Sequence, residues 1–201
     1  MMKKKIISCL MIIIVIVLSY FYAHIDKNSY LYNQNADTST FYGTGVLQEG
    51  EEIRQTFISD EDTIDGINLK VVTTGNIEDV VLYYTILDAE SNEVFTTAIV
   101  ARELDNNKFN QLKVSTINNA KDKQYTLVLS EEHSDAQNGI GFYIEPCSDK
   151  GQELSVANRD IEGRLVLRTI CHRFDMETFV VLLGVIFFIV TFMKILYKYF
   201  K

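Results

Sequence analysis

Residues 80–100 read VVLYYTILDAESNEVFTTAIV, and this stretch decides the fold. Two runs, 80–87 and 94–100, flank the hexapeptide DAESNE. Val, Ile, Tyr, Phe and Thr suit a pleated strand. Asp, Ser and Asn suit a turn, because their short side chains bond nearby backbone groups. The stretch therefore predicts an antiparallel hairpin with a loop longer than two residues. Its first run is apolar at both parities, which predicts a central strand.

The same rhythm continues on either side. Residues 53–58, IRQTFI, read as a strand. Ile67, Leu69 and Val71 alternate with Asn68, Lys70 and Val72. Tyr125, Leu127 and Leu129 alternate with Thr126 and Val128, and Ile140, Phe142 and Ile144 with Gly141 and Tyr143. Shorter runs at 109–114, 154–157 and 164–170 bring the series to about nine strands, separated by turn clusters. No amphipathic helix of useful length stands between them, which excludes a parallel α/β fold. The expected fold class is mostly β, an antiparallel β-sandwich over residues 46–173.

Two apolar runs frame this region. Residues 6–22, IISCLMIIIVIVLSYFY, carry no charge, no Pro and no Gly. Extended to residue 25, they reach the roughly 20 residues needed to cross a bilayer. Lys3, Lys4 and Lys5 precede them. The run exceeds the usual h-region of a signal peptide, and bulky Phe21 stands where a cleavage site needs a small residue, so an uncleaved anchor is expected. The second run, apolar over 179–193 and extended to 176–197, has Asp175 as its cap, and Lys194, Lys198 and Lys201 follow its apolar part among Tyr and Phe. Positive charge at both outer ends predicts a two-pass protein of the cell membrane. Residues 1–5 and 198–201 are then cytoplasmic and the β-sandwich lies outside, with two transmembrane helices at 6–25 and 176–197. Residues 26–45, rich in Asn, Ser, Thr and Gly, read as a stalk, with Tyr30, Tyr32, Phe41 and Tyr42 resting either on the membrane interface or on the domain.

The chain has 201 residues, one Pro and no Trp, a composition that suits an AT-rich bacterial genome. Between His24 and Met176 stand 13 basic and 26 acidic residues, a net charge of −13. A domain so acidic is not expected to bind nucleic acid or an anionic bilayer surface by charge.

Chemistry-bearing patterns are few. No Gly-x-Ser-x-Gly elbow, P-loop or His-Glu-x-x-His motif occurs, and the three histidines, His24, His133 and His172, have no zinc-site spacing. The expectation is a protein that is not an enzyme and needs no cofactor. Asp60, Asp62 and Asp65 are the best metal candidates, as hard oxygen ligands for a structural calcium ion. A solvated acidic turn is the preferred reading of the same residues. Cys147 and Cys171 both fall in the outer region. A disulfide between them would close a 25-residue loop, worth about 3 kcal/mol in the chain-entropy account; two free thiols are the alternative.

Gln55-Thr56-Phe57, the run 64–69 (IDGINL), the run 80–88, the run 125–130 (YTLVLS) and Gly141-Phe142-Tyr143 resemble the ectodomains of bacterial two-span membrane proteins with a jelly-roll, galactose-binding-like fold. The resemblance covers residues 46–144. Such domains look like non-catalytic carbohydrate-binding modules and accompany envelope polysaccharide machinery. It implies a glycan ligand met by aromatic faces, for which Tyr83, Tyr84, Tyr125 and Tyr143 are the candidates in a chain without Trp. The same four tyrosines also read as core or core-edge residues. The expected role is a binding or scaffolding module at the cell envelope, facing glycan or a membrane-protein partner. The alternative is an accessory or regulatory subunit of a membrane complex for envelope polysaccharide synthesis or export.

Overall fold

The computed structural model describes residues 2–147 and 152–200. It divides into two compact units, Met1–Lys27 with His172–Lys201, and Asn28–Cys171.

The first unit holds two helices, α1 (Met2–Tyr22) and α2 (Met176–Tyr199). As the sequence indicates, Asp175 caps α2, accepting from the Glu177 and Thr178 backbone N–H groups. These are donors that the first helical turn cannot satisfy internally. The Asp175 N–H in turn donates to the Ala23 carbonyl at 2.8 Å, and the Tyr20 and Phe174 rings lie 5.3 Å apart. Helix α2 is long and apolar enough to cross a membrane, and none of its apolar window is buried. Leu10–Tyr22 of α1 is a shorter apolar helical stretch.

The hairpin stretch becomes β5 (Val81–Asp88) and β6 (Glu93–Val100). Asp88 closes its loop by accepting from the Glu90 and Asn92 backbone N–H groups. Before it come β1 (His24–Tyr30), β2 (Tyr42–Gly43), β3 (Glu52–Ile58) and β4 (Thr63–Thr74). After it come β7 (Phe109–Asn118), β8 (Gln124–Glu132) and β9 (Gly139–Glu145). Four further strands are β10 (Leu154–Val156), β11 (Arg159–Ile161), β12 (Arg164–Leu165) and β13 (Leu167–Phe174). They form two antiparallel sheets. Sheet one runs β1-β13-β4-β9-β12, with β7 beside β4 and β2 beside β9; sheet two runs β11-β10-β3-β8-β5-β6.

The core lies where the inward parities of both sheets meet. Ile67, Leu69 and Val71 of β4 and Ile140, Phe142 and Ile144 of β9 enter it from sheet one. Ile53 and Phe57 of β3, Leu82 and Ile86 of β5, and Leu127 and Leu129 of β8 enter it from sheet two. Two polar side chains tie the sheets through it. Gln55 accepts from the Leu165 N–H of sheet one at 2.8 Å and donates to its own sheet's Thr56 carbonyl at 2.9 Å. The Tyr84 hydroxyl donates across to the Lys113 carbonyl at 2.9 Å. A buried amide or hydroxyl is tolerated only when bonded in this way.

Strand β5 is central in sheet two, between β8 and β6, as expected. Leu82, Tyr84 and Ile86 are buried, while Tyr83 is exposed. Its outward residues Tyr83, Thr85 and Leu87 are the apolar or β-branched types that an open pleated face also accepts. Residues 26–30, read as the start of a stalk, belong to β1, beside β13. Nearly every position of β1 is half-exposed, so no alternation marks it in the sequence.

Candidate functional site

Across antiparallel strands, residues in register share a face. Arg168 of β13 pairs with Asn68 of β4, and Gln111 and Phe109 of β7 pair with Asn68 and Lys70. Their neighbours Leu167, Ile67 and Leu69 point into the core. The outer face of sheet one therefore gathers a guanidinium, an ammonium, two amides and an aromatic ring from three strands.

The Arg168 guanidinium lies 4.4 Å over the Phe109 ring and 5.6 Å from that of Tyr30, and donates to the Tyr30 hydroxyl at 3.4 Å. With its amide turned to satisfy both neighbours, Asn68 accepts from Arg168 Nη2 at 3.3 Å and donates to the Asn110 carbonyl at 3.2 Å. Tyr32 stacks on Phe109 with centroids 6.0 Å apart and meets Tyr30 and Phe41 edge-on. Burial pushes the Tyr32 hydroxyl pKa up, against the pull of Arg168. Nearby, Lys70 Nζ lies 4.5 Å over the Tyr143 ring, whose hydroxyl donates to Asn107.

Residues 31–42 are laid over this face by specific contacts. Leu31 is buried, and its N–H donates to the Leu167 carbonyl at 3.1 Å. The Asn33 N–H donates to Glu145 at 2.9 Å, and Arg164 Nε donates to the same carboxylate oxygen at 2.7 Å. Asp37 caps a helical turn at Thr38–Thr40 that precedes Phe41. Bonds from Ser39 hold the Asp37 carboxyl below the usual carboxylate range.

Aromatic planes offer apolar surface, and Arg168, Asn68 and Gln111 offer hydrogen bonds at their rims. That combination fits a polyhydroxylated ring, with C–H faces on the aromatics and hydroxyls on the polar groups.

The tyrosines singled out in the sequence are dispersed. Tyr143 lies on this face, beneath Lys70. Tyr83 is exposed on the outer face of sheet two, where its hydroxyl donates to Glu132 at 3.0 Å. Tyr84 is buried on the opposite side of β5, and Tyr125 is buried with its ring 6.0 Å from that of Phe57. Asp60 accepts from the Ser29 hydroxyl, and the two oxygens of Asp65 accept from Thr63 and Thr116, each bond being 2.7 Å. The Asp62 carbonyl accepts from the Ala120 N–H at 2.8 Å. Among the described residues, no group of three or more His, Cys, Asp or Glu side chains is placed to hold a metal ion. Cys147 and Cys171 are free thiols; Cys171 is buried, with Sγ 3.2 Å from the Thr63 hydroxyl.

Arg168, Phe109, Tyr30 and Tyr32 escape a reading by motif, because three separate segments supply them. A weak signal exists. Arg168 interrupts the apolar run 165–170, LVLRTI, at an outward parity.

A second polar feature lies at the end of β8. Glu131 is 2% exposed on the core side. One carboxyl oxygen accepts from the Ile140 N–H at 3.0 Å, and the other has no hydrogen-bond partner among the described residues. Burial pushes its pKa up to about 8. The backbone of Gly139 closes over this carboxyl: a Cβ there would stand 2.9 Å from it and 2.5 Å from Val46.

No protein-family model matches the chain, and no curated protein matches it.

Proposed function

We propose that this chain is a non-catalytic, membrane-anchored binding module of the cell envelope, which holds glycan on the outer face of sheet one. The observation that carries the reading is the Arg168–Phe109–Tyr30–Tyr32 cluster, half-buried and framed by Asn68 and Gln111. A guanidinium held on aromatic planes is pre-organised, so little side-chain entropy remains to be lost when a ligand docks. The two packed sheets are compatible with a jelly-roll sandwich. The apolar length of α2 and the Lys residues at 3–5, 194, 198 and 201 support two spans with both termini cytoplasmic and the β domain outside.

The test uses the full-length chain in mild detergent, screened against an array of bacterial envelope glycans. Retention of a defined glycan, lost in Arg168→Ala and kept in Tyr83→Phe, is the expected result. A chain that retains no glycan but co-purifies stoichiometrically with a membrane enzyme or exporter would replace this reading with that of an accessory subunit. Protease added to intact cells should remove the β domain and spare both termini; cleavage at either terminus would overturn the topology.

A further inference from the structure

Strand β6 is an edge of sheet two, paired among the described residues with β5 alone. An open edge offers a row of backbone donors and acceptors to any passing strand, and folded proteins blunt it with short length, charge or Pro. The other edges of this molecule are blunted. At the far end of sheet two, β11 has three residues, two of them charged. In sheet one, β12 has two residues, β7 carries Lys113 and β1 carries Asp26 and Lys27. Strand β6 spans eight residues, EVFTTAIV, without Lys, Arg or Pro, and its single charge sits at its first position.

We infer that β6 is an interface with a second copy of this chain, the two edges pairing antiparallel about Thr97. The strand is complementary to itself in that register alone. Centred on Thr97, Phe95 meets Ile99 and Thr96 meets Ala98. Each pair also shares a face, as a two-fold axis normal to the sheet requires. Phe95 and Ile99 already pack against the core, so the pairing continues the core layer across the junction. Centring on Thr96 would set Phe95 against Thr97 instead of Ile99, and centring on Ala98 would bring in Arg102, beyond the strand. The bulge opposite Ile86 and Leu87 falls at Val94, and leaves Phe95–Val100 regular. This inference is independent of the glycan reading.

The experiment uses the full-length chain in detergent micelles, with mass measured by light scattering and cross-links mapped by peptide mass spectrometry. The wild type should be dimeric. Under mild oxidation, Thr97→Cys should give a dimer whose disulfide maps to position 97 in both copies, while Ala98→Cys should give far less. The double variant Thr96→Lys/Ala98→Lys should be monomeric with an unchanged far-ultraviolet circular dichroism spectrum. A monomeric wild type, a dimer that survives the double lysine variant, or capture of a strand from a different polypeptide at this edge would each overturn the inference.

Discussion

Glu145 and Glu131 are both almost fully buried, at 4% and 2% exposed, yet the protein treats them in opposite ways. Glu145, at the end of β9, meets Arg164 at 2.7 Å and the Asn33 N–H at 2.9 Å. Its charge is answered, and through Asn33 it fastens residues 31–42 to the aromatic face of sheet one. Glu131, at the end of β8, has one backbone donor and a second oxygen without a partner among the described residues. Its surroundings disfavour the charge itself, and burial pushes its pKa up to about 8. Burial alone therefore does not say what a carboxyl is for. A paired one organises a surface, whereas an unanswered one makes stability depend on pH.

The largest effect is expected from breaking the answered charge. Glu145→Ala leaves the Arg164 side chain, itself only 12% exposed, without that carboxylate. Removing one member of a buried ion pair costs about 3–5 kcal/mol. Urea denaturation of the full-length protein should show a loss of that size, together with weakened glycan retention as residues 31–42 loosen. A loss below about 1 kcal/mol, the range of a surface pair, would mean that solvent already screens the charge.

The unanswered carboxyl should respond with the opposite sign. Its pKa rises from 4.5 in the unfolded chain to about 8 in the fold. Between those values the native state binds more protons than the unfolded one, so stability falls as pH rises. The contribution is complete below pH 4.5 and is lost as pH climbs through about 8. Glu131→Gln keeps the shape of the neutral acid. It should match the wild type at pH 5 and exceed it at pH 9 by on the order of 1–3 kcal/mol, the cost of an unsatisfied buried group. Thermal melts at the two pH values check this; equal melting of wild type and variant at pH 9 would show that Glu131 is solvated when charged.

Arg168→Ala sharpens the contrast on the binding side. It removes a guanidinium 4.4 Å from Phe109 and its bond to Tyr30. The stability cost should be modest, about 1–2 kcal/mol for a partly desolvated cation–π contact. Glycan affinity should fall by roughly tenfold or more, because the same group is argued to meet the ligand. A stability loss with unchanged affinity would reduce Arg168 to a packing residue.

The strands were legible wherever burial alternates strictly. Ile67, Leu69 and Val71 announce β4, and Tyr125, Leu127 and Leu129 announce β8, because each second side chain enters one core. Strand β1 was not legible, since HIDKNSY is half-exposed at nearly every position and is placed by its neighbour, not by its own pattern. Of the candidate site, the sequence pointed to Tyr143, and to Tyr30, Tyr32 and Phe41 as rings that rest on the membrane interface or on the domain; the structure packs them on the domain. Phe109, Arg168 and Tyr32 come from distant segments and meet because β4 stands between β7 and β13, a fact of topology that no local pattern carries. Glu131 was hidden for a related reason. Glu131-Glu132-His133 looks like a solvated turn, but strand parity sends Glu131 inward and Glu132 outward.

That parity frames the smallest expected effect. Tyr83 and Glu132 are neighbours on the bare outer face of sheet two, joined by a 3.0 Å bond from the phenol to the carboxylate. Bonding to the carboxylate raises the Tyr83 pKa, so the interaction favours the neutral phenol. Both partners are open to water, which competes for each of them. An exposed contact of this kind is worth little, and thermal melts of Tyr83→Phe should coincide with those of the wild type. It should also leave glycan retention at the wild-type level, in contrast to Arg168→Ala. Tyr83 has the residue type that sugar recognition uses, but no second ring or guanidinium is seen to pack on it among the described residues. If Tyr83→Phe abolished retention while Arg168→Ala did not, the ligand would belong to sheet two, and the clad face of sheet one would be structural.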